Sequence, residues 1–263
     1  MSAPAIRAAF FDVDGTLLSH RTGTVPSSAK EALRRLRGAG VRLFLSTGRH
    51  LLEMQELDYV SEFPWDGYIT MNGQFCYDAD GVYFRQPIDR EDVEGLIRLS
   101  AEMDIPCMFV EEDDIYIGHY NDTVRSVLRE IHTPLPRLED LRRGLEKDVY
   151  LAVIYCTEEK RRQLVHRLKS VRAMGWHPLA YDVIHREGSK ARGIRLTCER
   201  YGIPLEETMA FGDGENDLEM LREVGVGVAM GNASPEVKAA CRYVTADIDE
   251  DGILKAVEKF GVI

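Results

Sequence analysis

The sequence predicts an α/β fold, a Rossmann-like parallel-sheet core with an inserted α+β domain, on three observations. Short apolar runs alternate with helical segments at both ends of the chain, the pattern of a parallel sheet with crossover helices. Between them the alternation gives way to hairpin-like strand pairs, so residues 79–186 read as an insert between core segments 1–78 and 187–263. The 263 residues suit one large or two smaller domains, at roughly 100–200 residues each, and can bury a core without disulfide or metal staples.

The elements follow in order. Ile6 to Phe11 is an apolar run that stops at Asp12-Val13-Asp14-Gly15-Thr16, a buried strand meeting a polar loop. Ser28-Ala29-Lys30-Glu31 has capping-box spacing and opens a helix with Ala29, Leu33 and Leu36 on one face, ending near Gly38 and Gly40. Val41 to Leu45 is a second strand, stopping at Ser46-Thr47-Gly48-Arg49, and a helix over Leu51 to Tyr59 follows. Tyr68 to Met71 is a third strand, stopping at Asn72-Gly73. These polar clusters all fall at C-terminal strand ends, the edge where open α/β sheets bind ligands.

Where the alternation gives way, Phe75 to Tyr77 and Val82 to Phe84 flank Asp78-Ala79-Asp80-Gly81 as a hairpin that leads into the insert. Helices are expected over Arg90 to Met103, Val124 to Ile131 and Glu158 to Ser170. Strands are expected at Cys107 to Val110, Ile115 to Gly118, Val149 to Cys156 and Leu179 to Ile184. Alternation resumes with a helix over Lys190 to Tyr201 and a strand over Glu207 to Phe211 that stops at Gly212-Asp213-Gly214-Glu215-Asn216-Asp217. A helix over Leu218 to Glu223, a strand over Val226 to Met230, a helix over Pro235 to Cys241, a short strand at Tyr243-Val244 and a final helix over Asp249 to Phe260 complete the chain.

Composition narrows the function classes. Hydrophobic residues make up 44% and charged residues 29%, as in ordinary globular proteins, which excludes a disordered tail, a collagen-like fibre and a small disulfide scaffold. The net charge of −11 disfavours broad contact with nucleic-acid phosphates or anionic membranes. It leaves a small phosphorylated metabolite open as a partner, since that depends on local charge. Five scattered cysteines without a CxxC pair read as buried free thiols of a reducing cytosol. Residues 1–11 lack the marks of a signal peptide, and no run nears the roughly 18 apolar residues of a membrane span. A cytoplasmic protein, monomeric or weakly homo-oligomeric, is expected.

The chemistry sits in the strand-end clusters. Asp12 and Asp14 are two residues apart where a strand runs into a loop, and i, i+2 side chains share a face. Two such carboxylates repel unless a cation or proton lies between them. Asp213 adds a third at another strand end, and such oxygen-rich positions suit Mg²⁺. Lys190 and Thr47 add a positive charge and a hydroxyl, and Gly15, Gly48, Gly212 and Gly214 let backbone N–H groups approach an anion. Together the parts make a phosphoryl-transfer site. Taken singly each has a plainer reading: a strand-end Asp is often a turn residue or cap, Thr47 an N-cap, Lys190 a solvated helix residue. Their order along the chain favours the joint reading.

That order resembles a known family. Phe10-Phe11-Asp12-Val13-Asp14-Gly15-Thr16-Leu17-Leu18 resembles motif I of the haloacid dehalogenase-like superfamily, Ser46-Thr47-Gly48-Arg49 motif II, Lys190 motif III and Gly212-Asp213-Gly214-Glu215-Asn216-Asp217 motif IV. The insert between motifs II and III, with Ala229-Met230-Gly231-Asn232-Ala233, resembles the Cof-type (class IIB cap) phosphatases. The segment before Lys190, His185-Arg186-Glu187-Gly188-Ser189, departs from the family pattern.

The resemblance implies roles. Asp12 is the nucleophile that forms an aspartyl-phosphate, and Asp14 the general acid, then base. Mg²⁺ is held by Asp12, the Asp14 backbone carbonyl and Asp213. Thr47, Gly48, Lys190 and Asn216 contact the phosphoryl group, Lys190 also pairs with Asp12, and Asp217 and Arg49 support the site. The insert acts as a lid hinged near 78–80 and 186–188. Its own candidates, Tyr116, His119 and Tyr181, are weighed against a core reading, and Arg161, Arg162, Arg167, Lys169 and Arg172 against a solvated helix face. The substrate expected is a small monoester, a sugar phosphate or alternatively a phosphorylated cofactor such as FMN or pyridoxal phosphate. Two readings from other classes are a phospho-Asp signalling module, against which Asp14 stands as a second acid, and a calcium-binding module, against which the strand before Asp213 stands.

Overall fold

The computed structural model describes residues 5–55, 57–131 and 133–263. The first four residues of the segment searched for a leader, and Glu56 of the helix expected over 51–59, lie outside them. The chain forms two compact units, one of residues up to Arg85 together with Ser189–Ile263, the other Gln86–Gly188.

The first unit begins with β1 (Ala8–Phe11), α1 (Ser27–Gly38), β2 (Arg42–Ser46), α2 (Leu51–Met54), α3 (Asp58–Glu62), β3 (Gly67–Thr70), β4 (Phe75–Asp78) and β5 (Gly81–Arg85). The second holds α4 (Arg90–Met103), β6 (Cys107–Val110), β7 (Ile115–Ile117), α5 (Asp122–Glu130), β8 (Arg137–Leu138), β9 (Leu151–Tyr155), α6 (Glu158–His166), β10 (Val171–His177) and β11 (Ala180–His185). The chain then returns to the first unit with α7 (Lys190–Tyr201), β12 (Thr208–Gly212), α8 (Leu218–Glu223), β13 (Val226–Ala229), α9 (Pro235–Ala240), β14 (Tyr243–Val244) and α10 (Gly252–Lys259).

The first unit is built on one eight-stranded sheet in the order β14-β13-β12-β1-β2-β3-β4-β5. β14 through β3 run parallel, and β4 and β5 close the edge antiparallel. Strand side chains alternate between faces, and both faces of β1 are buried. Ala9 and Phe11 pack with Leu33 and Leu36 of α1 and Ala256 and Val257 of α10. Ala8 and Phe10 pack with Ile194 of α7, Leu221 of α8 and Val237 of α9. The chain builds outward from β1 through β2 and β3, then returns on β1's other side through β12. The order therefore reverses between β1 and β12, and open α/β sheets form a ligand crevice at such a switch point. Phe11 and Phe211 are register partners there, their rings stacked with centroids 5.1 Å apart.

The second unit is a six-stranded sheet in the order β10-β11-β9-β6-β7-β8, antiparallel except for the β7–β8 pair. Its core joins Leu96 and Leu99 of α4 and Leu164 of α6 to Phe109, Ile154 and Val183 of the sheet. Tyr116 and Tyr181 belong to this core, and the Tyr116 hydroxyl donates to Glu111 at 2.7 Å. Arg162, Arg167 and Lys169 pair with Glu158, Glu102 and Glu91 on the surface.

Several sequence expectations shift. The hairpin of β4 and β5 belongs to the first sheet, because β4 pairs with β3, so residues 79–85, expected in the insert, lie in the first unit. Helix α1 starts one residue before Ser28, with Pro26 at the N-cap and no side-chain cap. Glu31 of the expected capping box pairs with Arg34 instead. The helix expected over 51–59 is two short helices, the first capped by His50 and Glu53. The charged helix expected to reach Ser170 ends at His166, and Val171–His177, left without an element, is β10, paired to β11. All five cysteines are free, four of them buried. No helix among the described residues is long and apolar enough to cross a membrane.

The stacked pair at the switch point carries a stability prediction. Phe11→Ala removes a fully buried ring and is expected to cost about 3–5 kcal/mol. Urea unfolding should show a lower midpoint at unchanged slope; a loss below about 1 kcal/mol would mean the strand ends repack freely.

Candidate active site

Each site residue stands where a strand ends or a helix begins. Asp12 follows β1, with its N–H bonded to the Phe211 carbonyl at 3.0 Å, so Asp12 and the loop after β12 are adjacent by sheet register. Lys190 is the first residue of α7, whose N-cap Ser189 side chain accepts from Arg192 N–H at 3.1 Å. A cation at a helix N-terminus opposes the helix dipole, and a fully buried lysine faces a large desolvation penalty. The carboxylates it meets offset both. Lys190 Nζ, with no exposure, lies 2.6 Å from Asp12 Oδ1 and 2.6 Å from Asp217 Oδ1. Burial alone would depress the lysine's pKa, but Asp12 and Asp217 carry it above the ordinary value, so it remains an ammonium.

Asp217 is committed on both oxygens. Oδ1 takes Lys190, and Oδ2 accepts the Asp213 and Gly214 backbone N–H groups at 2.9 Å each. Asp217 thus folds the loop after β12 and anchors Lys190 together. Asp213 accepts from Thr16 Oγ1 at 3.1 Å. Burial first, then the charge of Asp217, pushes its carboxyl up to about 7, with the Thr16 bond acting the other way. Burial likewise raises Asp12, against the pull of Lys190 and with the push of Asp217, Asp213 and Asp14.

Three carboxylates, Asp12, Asp213 and Asp217, each offer an oxygen within 4.8 Å of the others. One ammonium cannot neutralise three, and the neighbouring carboxylates add to the burial that raises Asp12 and Asp213. An oxygen donor set with unbalanced negative charge fits a hard divalent cation. Because Asp217 is engaged on both oxygens and Lys190 takes only one oxygen of Asp12, Asp12 and Asp213 are the carboxylates best placed to serve it.

The sequence expected Asp14 beside Asp12 and Asp213. The Asp14 side chain instead makes a two-pronged pair with Arg49, Oδ2 to Nε and Oδ1 to Nη2, both at 2.7 Å. Asp12, Asp213 and Asp217 form the oxygen cluster, while the charge of Asp14 still acts on Asp12 and Asp213. Thr47 is buried at 1% exposure, and its hydroxyl accepts the Arg49 N–H at 3.1 Å. Asn216 donates to Asn72 Oδ1 at 2.9 Å.

Gly15 makes room for a carboxylate. It has φ +74°, and a Cβ there would fall 2.2 Å from Asp213 Oδ2, so its missing side chain is the room Asp213 occupies. Asn72 and Asn232 join the site as residues that brace its loops. Asn232 donates to the Gly15 carbonyl at 2.7 Å and accepts the Ile248 N–H at 3.0 Å, pinning the loop after β1 to the loop after β14. Its signal in the sequence is its place in the Ala229-Met230-Gly231-Asn232-Ala233 run just past a strand.

Removing the buried cation tests this electrostatic reading. Lys190→Met, measured with a chelator present, is expected to lose about 3–5 kcal/mol, the usual effect of stranding buried partner charges. Adding Asp217→Asn should recover part of the loss; equal stability of Lys190→Met and wild type would show that the carboxylates need no ammonium.

A family model for haloacid dehalogenase-like hydrolases matches residues 9–257. Pyridoxal phosphate phosphatase YbhA of Escherichia coli (strain K12) is 31% identical over 272 residues, covering 95% of this chain and 97% of its own. Among solved structures, the subclass IIB sugar phosphatase BT4131 is 38% identical with TM-score 0.87, covering 98% of this chain and 100% of that one. BT1666 from Bacteroides thetaiotaomicron, a phosphatase of the same superfamily, is 34% identical with TM-score 0.91, covering 98% of this chain and 96% of that one. The motifs, the sheet and these likenesses agree, and the chain belongs to the haloacid dehalogenase-like hydrolase family.

Proposed function

We propose that this protein is a Mg²⁺-dependent phosphatase that hydrolyses small phosphate monoesters, sugar phosphates foremost, through an aspartyl-phosphate on Asp12. The observation that carries the reading is the buried Lys190 shared by Asp12 and Asp217 at 2.6 Å. It holds one carboxylate of a crowded acidic pocket in a fixed place at the sheet's C-terminal edge. The likeness to a subclass IIB sugar phosphatase over 98% of the chain supports the substrate class. The likeness to a pyridoxal phosphate phosphatase keeps phosphorylated cofactors as the second reading.

The residues divide the work as follows. An Asp12 oxygen attacks phosphorus as the bond to the leaving oxygen breaks, and Lys190 stays on Asp12 Oδ1 and steadies the charge. Asp14 supplies the proton to the leaving oxygen, then takes one from the water that releases phosphate from Asp12. Because Arg49 holds both Asp14 oxygens in this structure, proton transfer requires the carboxyl to swing off the guanidinium. Thr47, Gly48 and Asn216 hold the phosphoryl oxygens. When bound, Mg²⁺ held by Asp12, the Asp14 carbonyl and Asp213 supplies the positive charge that lets a carboxylate meet an anionic phosphate. The Gln86–Gly188 unit is assigned the part of a substrate-selecting cap. A phospho-Asp signalling role is disfavoured by Asp14, whose base chemistry would discharge the phosphoenzyme, and a calcium-binding role by the engagement of Asp217 with Lys190.

Phosphate release over a panel of sugar phosphates, pyridoxal phosphate, FMN and other small monoesters, with Mg²⁺ present, tests the proposal. Wild type should release phosphate from sugar phosphates at a higher kcat/KM than from the cofactors, and chelation should abolish the activity. Asp12→Asn should lose at least about 10³-fold in kcat while keeping its fold; wild-type turnover by Asp12→Asn would remove the nucleophile, and faster release from pyridoxal phosphate would favour the second reading.

A further inference from the structure

Directly after β3, three consecutive residues hold left-handed backbone angles: Met71 at φ 50°, Asn72 at 56° and Gly73 at 86°. Only the last is a glycine. Side-chain-bearing residues seldom adopt this region, and Met least readily of these three. Such a run persists where its surroundings hold it in place, and it clusters at functional sites.

The surroundings here are three separate chain segments. Met71 N–H bonds the Arg49 carbonyl at 3.2 Å and Asn72 N–H the Thr47 carbonyl at 3.0 Å, which ties the turn to the loop after β2. A Cβ on Gly73 would lie 2.0 Å from the Ser189 carbonyl oxygen and 3.1 Å from Lys190 N, so the turn abuts the start of α7. The Asn72 side chain, 1% exposed, accepts from Asn216 Nδ2 at 2.9 Å. A Cβ on Gly48 would lie 3.2 Å from both of its amide atoms. One strained turn therefore touches the Thr47–Gly48 loop, the residue that opens α7 and the loop that carries Asn216.

We infer that the Met71–Asn72–Gly73 turn is a positioning element for phosphate binding, with Asn72 its positioning residue. The Asn72 amide sets the spacing between Gly48 and Asn216, and the glycine at 73 lets Ser189–Lys190 approach. This rests on the phosphatase reading for the role of the braced residues, while the bracing itself is a property of the fold. Asn at position 72 joins two requirements, since it tolerates left-handed backbone and carries an amide that can bond across to another loop. Were its role only to fill a buried polar space, its loss would lower stability without altering affinity for phosphate.

Asn72→Gly separates these, because it keeps the backbone permissive and deletes the amide. In wild type and variant, hydrogen exchange is followed at residues 47–49 and 214–217, and inorganic phosphate is titrated as a competitive inhibitor of p-nitrophenyl phosphate hydrolysis. The expected result is faster exchange in both loops, with KM and the phosphate Ki raised about tenfold. Asn72→Ala should melt lower than Asn72→Gly because of its Cβ at positive φ, with no further weakening of phosphate. A phosphate Ki within about twofold of wild type, or unchanged exchange in either loop, overturns the inference. If wild type neither releases nor binds phosphate, the phosphatase reading fails separately; faster exchange in both loops then still upholds the brace, and unchanged exchange removes it.

Discussion

A lysine ammonium sealed from solvent between two carboxylates is the constraint around which the first unit is organised. Burying an ion costs several kcal/mol even after the protein relaxes, so Lys190 can remain charged only while Asp12 and Asp217 stay within direct contact. That demand fixes three chain segments at once: the end of β1, the start of α7 and the loop after β12. It also leaves the pocket with more negative than positive charge, so the same contact that steadies Asp12 prepares the site for a further cation.

Sheet topology brings these segments together without special loops. β1 and β12 are neighbours although nearly two hundred residues separate Phe11 from its partner Phe211. Their register sets Asp12 beside Gly212, and Asp217 then folds the intervening turn back by accepting the Asp213 and Gly214 amides. Asp217 is therefore both a structural residue of its loop and the second anchor of Lys190. The Gln86–Gly188 unit has its own sheet and core, so this excursion of the chain need not disturb the packing that holds the site.

Much of this was legible in the sequence because its signals are local. Buried parallel strands read as unbroken apolar runs, as at Ala8–Phe11 and Thr208–Gly212, and the polar residues that end them mark the functional edge. Lys190 was visible as a position through the motif order, but its burial was not, since a lysine opening a helix looks solvated until its partners are known. The Asp14–Arg49 pair and the entry of Asp217 into the oxygen cluster depend on which way side chains turn in loops, which spacing does not encode. Asn72 and Asn232 bond across 144 and 217 residues of sequence, so their partners are not readable from local spacing. β10 is not legible in the sequence because Arg172 and Gly175 interrupt its apolar alternation, and its strand character comes from pairing with β11. The cap expected at Ser28 failed because Pro26 already fixes the chain's entry into α1.

The central claim is that the carboxylate held by Lys190 is the one that takes the phosphoryl group. It is tested most directly by quenching the protein in acid during turnover of a radiolabelled sugar phosphate and mapping the acid-stable, base-labile label by peptide mass spectrometry. The account requires the label on Asp12. No covalent label at any quench time, or a label on Asp14, Asp213 or another residue, would contradict it.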